Sequence, residues 1–150
     1  MSASPSPSAV RVVRVLPATP EEVFDAWLDP EGLARWMCPG PVTSATAEVD
    51  GRVGGRFRIV MREPGTDYLH TGEYRELARP RRLVLTWVSE ATRGLPTTVT
   101  VELKPHGAGE TELTLVHEGL PEETAERYTD GWGQILEKLA AHVRARAAAR

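Results

Sequence analysis

The sequence predicts an α+β domain. A curved antiparallel sheet of six to seven strands wraps around one long C-terminal helix, and two short helices follow the first strand. Three observations point to this. Between Pro121 and Arg146 the apolar residues Ala125, Tyr128, Trp132, Ile135, Leu136, Leu139 and Val143 recur in steps of three and four. That spacing makes one stripe of a 3.6-residue period. From Val42 onward the pattern changes to period two, broken by turn residues at Asp50-Gly51, Gly54-Gly55, Pro64-Gly65, Arg79-Pro80 and Pro105–Gly109. No helical pattern separates these segments, so short turns join them into an antiparallel meander. A sheet with one apolar and one polar face is covered on one side. The long helix, ~40 Å at 1.5 Å per residue, is the natural cover.

Each element has its own local reasons. Val10–Leu16 (VRVVRVL) is rich in β-branched residues and reads as a strand ended by Pro17. Thr19 and Glu22 form a capping box, with Pro20 in the first turn, for a helix carrying Val23, Phe24, Trp27 and Leu28. Asp29-Pro30 breaks it, and a second short helix runs from Glu31 to Trp36. Strands are expected at Val42–Val49, Arg56–Arg62, Tyr68–Ala78, Arg82–Ser89, Thr97–Lys104 and Thr111–Glu118, with a loop over 90–95. Their inward parity includes Phe57, Ile59, Met61, Leu83, Leu85, Trp87, Val99, Val101, Leu103, Leu113, Leu115 and His117. Pro121 suits the first turn of the long helix, and Glu122 and Glu123 meet the positive end of its dipole. Gly131 and Gly133 flank Trp132 at a cost of about 1 kcal/mol each relative to alanine. Either a neighbouring strand or loop approaches there, or the space beside Trp132 admits a bound molecule.

Composition narrows the function classes. At 150 residues the chain is expected to form one domain, 10–147, after a Ser/Ala/Pro-rich tail, 1–9, expected to be disordered. A net charge of −3 argues against general nucleic-acid binding. The single cysteine, Cys38, precludes an intrachain disulfide and fits a reducing cytoplasm. The N-terminus lacks the apolar core of a signal peptide, and no run approaches a membrane span. A cytoplasmic location without membrane insertion is expected. No HExxH, CxxC, GxSxG or phosphate-binding glycine motif is present, and the histidines are not spaced as a metal site. No cofactor and no metal are therefore expected. Glu73 and Glu76 are expected on opposite strand faces.

Several segments resemble one family. These are Pro20–Trp27 (PEEVFDAW), Asp29–Trp36 (DPEGLARW), Gly54–Phe57 (GGRF), Gly72–Leu77 (GEYREL), Arg82–Trp87 (RLVLTW), Thr111–Gly119 (TELTLVHEG) and Gly131–Leu139 (GWGQILEKL). Together they resemble the START/Bet v 1-like (SRPBCC) superfamily and its helix-grip fold, most closely the branch named after the activator of Hsp90 ATPase homologues. The likeness spans about residues 10–145. It implies a hydrophobic cavity between the sheet and the C-terminal helix. Members bind lipids, polyketides, hormones and other apolar molecules, and some are cyclases or aromatases of aromatic polyketides. The eukaryotic Hsp90 activators bind a chaperone through an additional N-terminal domain, which this chain is expected to lack. Such a fold does not by itself specify a function.

The candidate ligand-binding residues are Trp36, Phe57, Met61, Tyr74, Trp87, His117, Trp132 and Leu136. Aromatic rings offer flat walls to a ring-containing ligand, although the same rings could simply fill the core. His117 and Tyr74 are the catalytic candidates, as an acid–base pair across the cavity. A core histidine bonded to a neighbouring backbone group or to Glu is the alternative. His70 has a weaker case, and His106 and His142 read as surface residues. Cys38 could line the mouth or be structural. The expected partner is a hydrophobic, ring-containing small molecule of polyketide or lipid type, in biosynthesis, transport or self-resistance. A polyketide cyclase/aromatase and an Hsp90-activator-like interaction domain are the rival readings. The polar outer residues Arg56, Arg58, Arg62, Thr98, Thr100 and Glu102 weigh against the latter. A homodimer through sheet edges or the helix stays open.

Overall fold

The computed structural model describes residues 9–149, so the expected tail lies outside the described residues except for Ala9. The elements are β1 (Val10–Leu16), α1 (Pro20–Ala26), α2 (Pro30–Trp36), β2 (Ser44–Val49), β3 (Arg56–Glu63), β4 (Thr66–Ala78), β5 (Arg82–Trp87), β6 (Thr97–Pro105), β7 (Thr111–Glu118) and α3 (Ala125–Ala148). The strands form one seven-stranded antiparallel sheet in the order β1-β7-β6-β5-β4-β3-β2. The meander runs from β2 to β7. The first strand then closes on the last, with Val10 opposite His117 and Leu16 opposite Thr111.

Local chemistry starts the short helices. Thr19 Oγ1 accepts from the Glu22 amide, while Glu22 Oε1 accepts from the Thr19 amide, the reciprocal capping box. Asp29 Oδ1 accepts from the Glu31 amide at the start of α2. α1 packs on β6 and α3, and α2 on β2 and α3. The long helix begins later than Pro121 predicts. Leu120 is buried, Pro121 keeps an extended backbone, and Glu122–Thr124 forms a 3-10 turn before α3 starts at Ala125. Trp132, Ile135, Leu136, Leu139 and Val143 of α3 are buried against the sheet, with Ala125 and Tyr128 half-buried beside them.

At Gly72, β4 passes unusually close to its neighbours. At Gly72 an added Cβ would lie 2.0 Å from the Thr86 carbonyl oxygen and 2.4 Å from the Phe57 ring. Only glycine lets β4 pass that close to β5 and β3. The register with β5 shifts between Tyr74 and Glu76, a β-bulge that bends the strand. The bulge also changes facing. Glu73 lies opposite Arg56, and Glu76 lies opposite Val84. Both carboxylates therefore share the outer face, contrary to the simple alternation expected from sequence. They do not pair with each other: Glu76 meets Arg82 at 3.4 Å. Among the described residues no helix is long and apolar enough to cross a membrane.

Candidate functional site

The inner sheet face and α3 enclose one aromatic layer. Trp36 and Trp27 meet edge to face at 4.8 Å between ring centroids, Trp27 lies 6.2 Å from Trp132, and Trp132 lies 5.1 Å from Trp87. Phe57 continues the line at 5.8 Å from Trp87 and 5.6 Å from Tyr74. Each piece comes from a different element: α2, the residue following α1, α3, β5, β3 and β4. All eight candidate residues, Trp36, Phe57, Met61, Tyr74, Trp87, His117, Trp132 and Leu136, are 5% exposed or less. The rings pack on one another, as residues filling a core do.

His117 sits at the centre of a closed hydrogen-bond chain. Trp132 Nε1 donates to His117 Nδ1 at 3.0 Å. Nδ1 is thus an acceptor, and the ring proton belongs on Nε2, which donates to Thr97 Oγ1 at 2.7 Å. Thr97 Oγ1 in turn donates to the Trp87 carbonyl at 2.6 Å. Burial pushes His117 down to about 3, so the imidazole is neutral over the physiological range. Both nitrogens are occupied. The histidine is a bonded core residue, but its partners are an indole and a threonine hydroxyl rather than the backbone group or Glu expected from sequence.

Tyr74 lies in the same layer beside Phe57. Burial raises its phenol well above the usual range, and the carboxylate of Asp50 adds to this. The His70 ring lies tilted, 5.0 Å from that of Trp87, and burial lowers its pKa to about 4 against the opposing pull of backbone groups at Tyr68 and Ile59. His106 is exposed, as expected, whereas His142 is half-buried near α2. Cys38 is buried, its thiol pushed upward by desolvation, and Lys138 of α3 donates to its carbonyl.

Three buried indole donors stand out. Nε1 of Trp27, Trp36 and Trp87 has no hydrogen-bond partner among the described residues. An unmade hydrogen bond at a buried donor costs about 1–3 kcal/mol. Trp132 alone of the four tryptophans has its indole N–H paired, to His117.

The side of the layer toward the start of α3 is tied down by few polar contacts. Ser89 and Tyr128 hydroxyls lie 3.1 Å apart, and Arg93 pairs with Glu123. Gly133 meets Arg14, whose Nη2 would lie 3.2 Å from an added Cβ, while nothing lies within 4 Å at Gly131. The close approach expected at these glycines holds at one of them only. Two clefts lie off the layer. One, of about 660 Å3, is bordered by Glu48, Arg56, Arg58, Thr71, Glu73 and Thr86. The other, of about 260 Å3, lies between Asp29, Arg35, His142 and Arg146. Of the eight candidates only Phe57 borders either cleft. Among the described residues no group of His, Cys, Asp and Glu is arranged to hold a metal ion.

Sequence reasoning left Trp27 and Thr97 out of the candidate set. Trp27 was visible as part of the apolar face of α1. Thr97 stands two residues before inward-facing Val99, so parity already placed it inside.

Known proteins share this architecture. A protein of Chromobacterium violaceum is 35% identical over 92% of this chain and 98% of its own, with a TM-score of 0.80. An Hsp90 activator from Plasmodium falciparum is 28% identical over 84% of this chain and 88% of its own, with a TM-score of 0.69. A protein of the dynemicin biosynthetic locus is 24% identical and matches in fold, with a TM-score of 0.73, over 91% of this chain and 47% of its own. No curated protein matches the chain. The family described as Activator of Hsp90 ATPase homolog 1-like protein matches residues 17–144. Sequence, fold and this match agree: the chain belongs to that family.

Proposed function

We propose that the domain takes up an apolar, ring-containing small molecule into the aromatic layer between the sheet and α3. The observation that carries this reading is the continuity of the layer: six rings from six parts of the chain, Trp36, Trp27, Trp132, Trp87, Phe57 and Tyr74, in one uninterrupted series. Flat aromatic side chains stack well on a planar guest. Burying its apolar surface supplies affinity at ~25 cal/mol per Å2. The rings are closed on one another, so uptake requires the start of α3 to part from the 90–95 loop. Among the described residues, the polar side-chain contacts on that side are the Ser89–Tyr128 hydrogen bond and the exposed Arg93–Glu123 pair. Exposed pairs of this kind contribute little to stability.

An acid–base role for His117 gains no support from its surroundings, because both ring nitrogens are engaged and burial disfavours the cation. A polyketide- or lipid-like guest, carried or sequestered, is the reading that the layer favours over turnover by a His117–Tyr74 pair.

Native mass spectrometry of the freshly purified protein, followed by tryptophan-fluorescence titration with aromatic polyketides, steroids and lipids, tests it. Saturable quenching by a ring-containing compound, weakened in Trp132→Phe, is the expected result. No co-purified mass and no saturable response to any compound would sink the proposal.

A further inference from the structure

We infer that the guest is an uncharged, ring-fused molecule carrying oxo groups on its rim, recognised by the indole N–H groups of Trp27, Trp36 and Trp87. The inference rests on the uptake reading above and gives the guest its chemistry.

The layer leaves several buried polar groups without partners. Its unpaired groups among the described residues are three N–H donors, Nε1 of Trp27, Trp36 and Trp87, on residues 3%, 0% and 3% exposed, and Nδ1 of His70 beside Trp87, which donates or accepts according to its tautomer. Indole nitrogen can donate but not accept. The unmet demand of these three groups is therefore for acceptors. The edge-to-face Trp27–Trp36 pair can offer an N–H one ring face, but such a contact is weaker than a bond to oxygen. Carbonyl oxygen is the compact acceptor that a planar ring system carries in its own plane. A hydrocarbon guest would keep the three donors unpaired.

Charge is excluded by the same lining. The buried polar residues are Ser89, Thr92, Thr97, Thr111 and His117, with no Lys, Arg, Asp or Glu among them. An ionised guest would enter without a counter-charge. His117 cannot serve as one, since its two nitrogens are committed to Trp132 and Thr97. His70, beside Trp87, is likewise held neutral by burial.

The pair fluorene and 9-fluorenone isolates the carbonyl, because the two have nearly the same shape. 9-Fluorenecarboxylate adds a charge. Affinities would be measured by tryptophan fluorescence on the full chain, and indole signals by NMR on protein labelled with 15N-tryptophan. Fluorenone is expected to bind at least tenfold more tightly than fluorene, and the carboxylate more weakly than either. At least one of the Trp27, Trp36 and Trp87 indole N–H signals should move downfield with fluorenone and not with fluorene. The Trp132 signal, already paired, should not follow. Trp87→Phe or Trp36→Phe should cut the fluorenone preference at least threefold. The NMR readout needs no variant and stands if either fails to fold. Equal binding of fluorene and fluorenone, or no downfield shift at any of the three indoles, would overturn the inference while leaving uptake itself intact. Failure of both compounds to bind would instead overturn the uptake reading for this class of guest, and the inference with it.

Discussion

The indole Nε1 of Trp132 donates to Nδ1 of His117 across 3.0 Å, joining α3 to β7 through the centre of the core. The bond fixes the histidine tautomer and denies Nδ1 to any other proton. Nitrogen NMR of the His117 ring should therefore report a proton on Nε2 alone, unchanged between pH 8 and pH 4. Trp132→Phe keeps an aromatic ring but removes the donor and leaves a void. The unpaired acceptor and the lost volume together should cost about 2–4 kcal/mol. Urea denaturation checks this, and a loss below about 1 kcal/mol would mean that the bond contributes little.

Acid should destabilise the fold before its carboxylates titrate. His117 and His70 are lowered to about 3 and about 4 from an ordinary 6.5. Between those values the unfolded chain binds protons that the native one refuses. Their contribution is fully present above pH 6.5 and is lost as pH falls toward their native values, at up to about 1.4 kcal/mol per pH unit for each group. Asp25, lowered by the Arg79 guanidinium, loses its contribution only at lower pH, below its ordinary value of 3.8. Urea midpoints at pH 7, 5.5 and 4.5 should decline steadily, and His70→Gln should make the decline shallower. A flat profile over that range would refute the prediction.

Thr97 supplies the other half of the histidine's environment, receiving from His117 Nε2 at 2.7 Å and donating to the Trp87 carbonyl at 2.6 Å. Thr97→Val conserves shape while removing the hydroxyl, leaving a buried N–H and a carbonyl each short of a partner. A loss of about 1–3 kcal/mol is expected. Thr97→Ser keeps the hydroxyl and gives up one methyl, for about 1 kcal/mol. Thermal melts of the two variants compare them directly, and equal losses would show that the hydroxyl is not the decisive group.

Much of this architecture was legible from periodicity. The stripe from Trp132 to Val143 located the face of α3, and β1 and β7 have the bounds that alternation gave. Thr19 and Glu22 announced α1 because capping is a local reaction between neighbours. What escaped was non-local. The β4 bulge near Arg75 reverses the facing of every later residue in the strand, and alternation cannot reveal a skipped residue. The chain joining Trp132, His117, Thr97 and Trp87 needs four elements in contact. Sequence parity placed His117 inside but could not name its partners. It also identified most of the aromatic layer without telling rings that pack on each other from rings that part around a guest.

Glycines that look alike in sequence should respond in opposite directions. At Gly72 an alanine Cβ would lie 2.0 Å from the backbone oxygen of Thr86, which cannot swing aside as a side chain can. Gly72→Ala must separate β4 from β5, and a loss above about 3 kcal/mol or failure to accumulate folded protein is expected. At Gly131 nothing lies within 4 Å of an added Cβ. The residue sits inside α3, where alanine is favoured over glycine by about 1 kcal/mol, so Gly131→Ala should raise stability by that amount. Gly133→Ala falls between them, because the group it meets at 3.2 Å is the mobile end of the Arg14 side chain. That end can yield, so a result near neutral to mildly stabilising is expected. Denaturation of the three variants under one condition should rank them Gly131→Ala, Gly133→Ala, Gly72→Ala from most to least stable. A destabilised Gly131→Ala would refute the prediction.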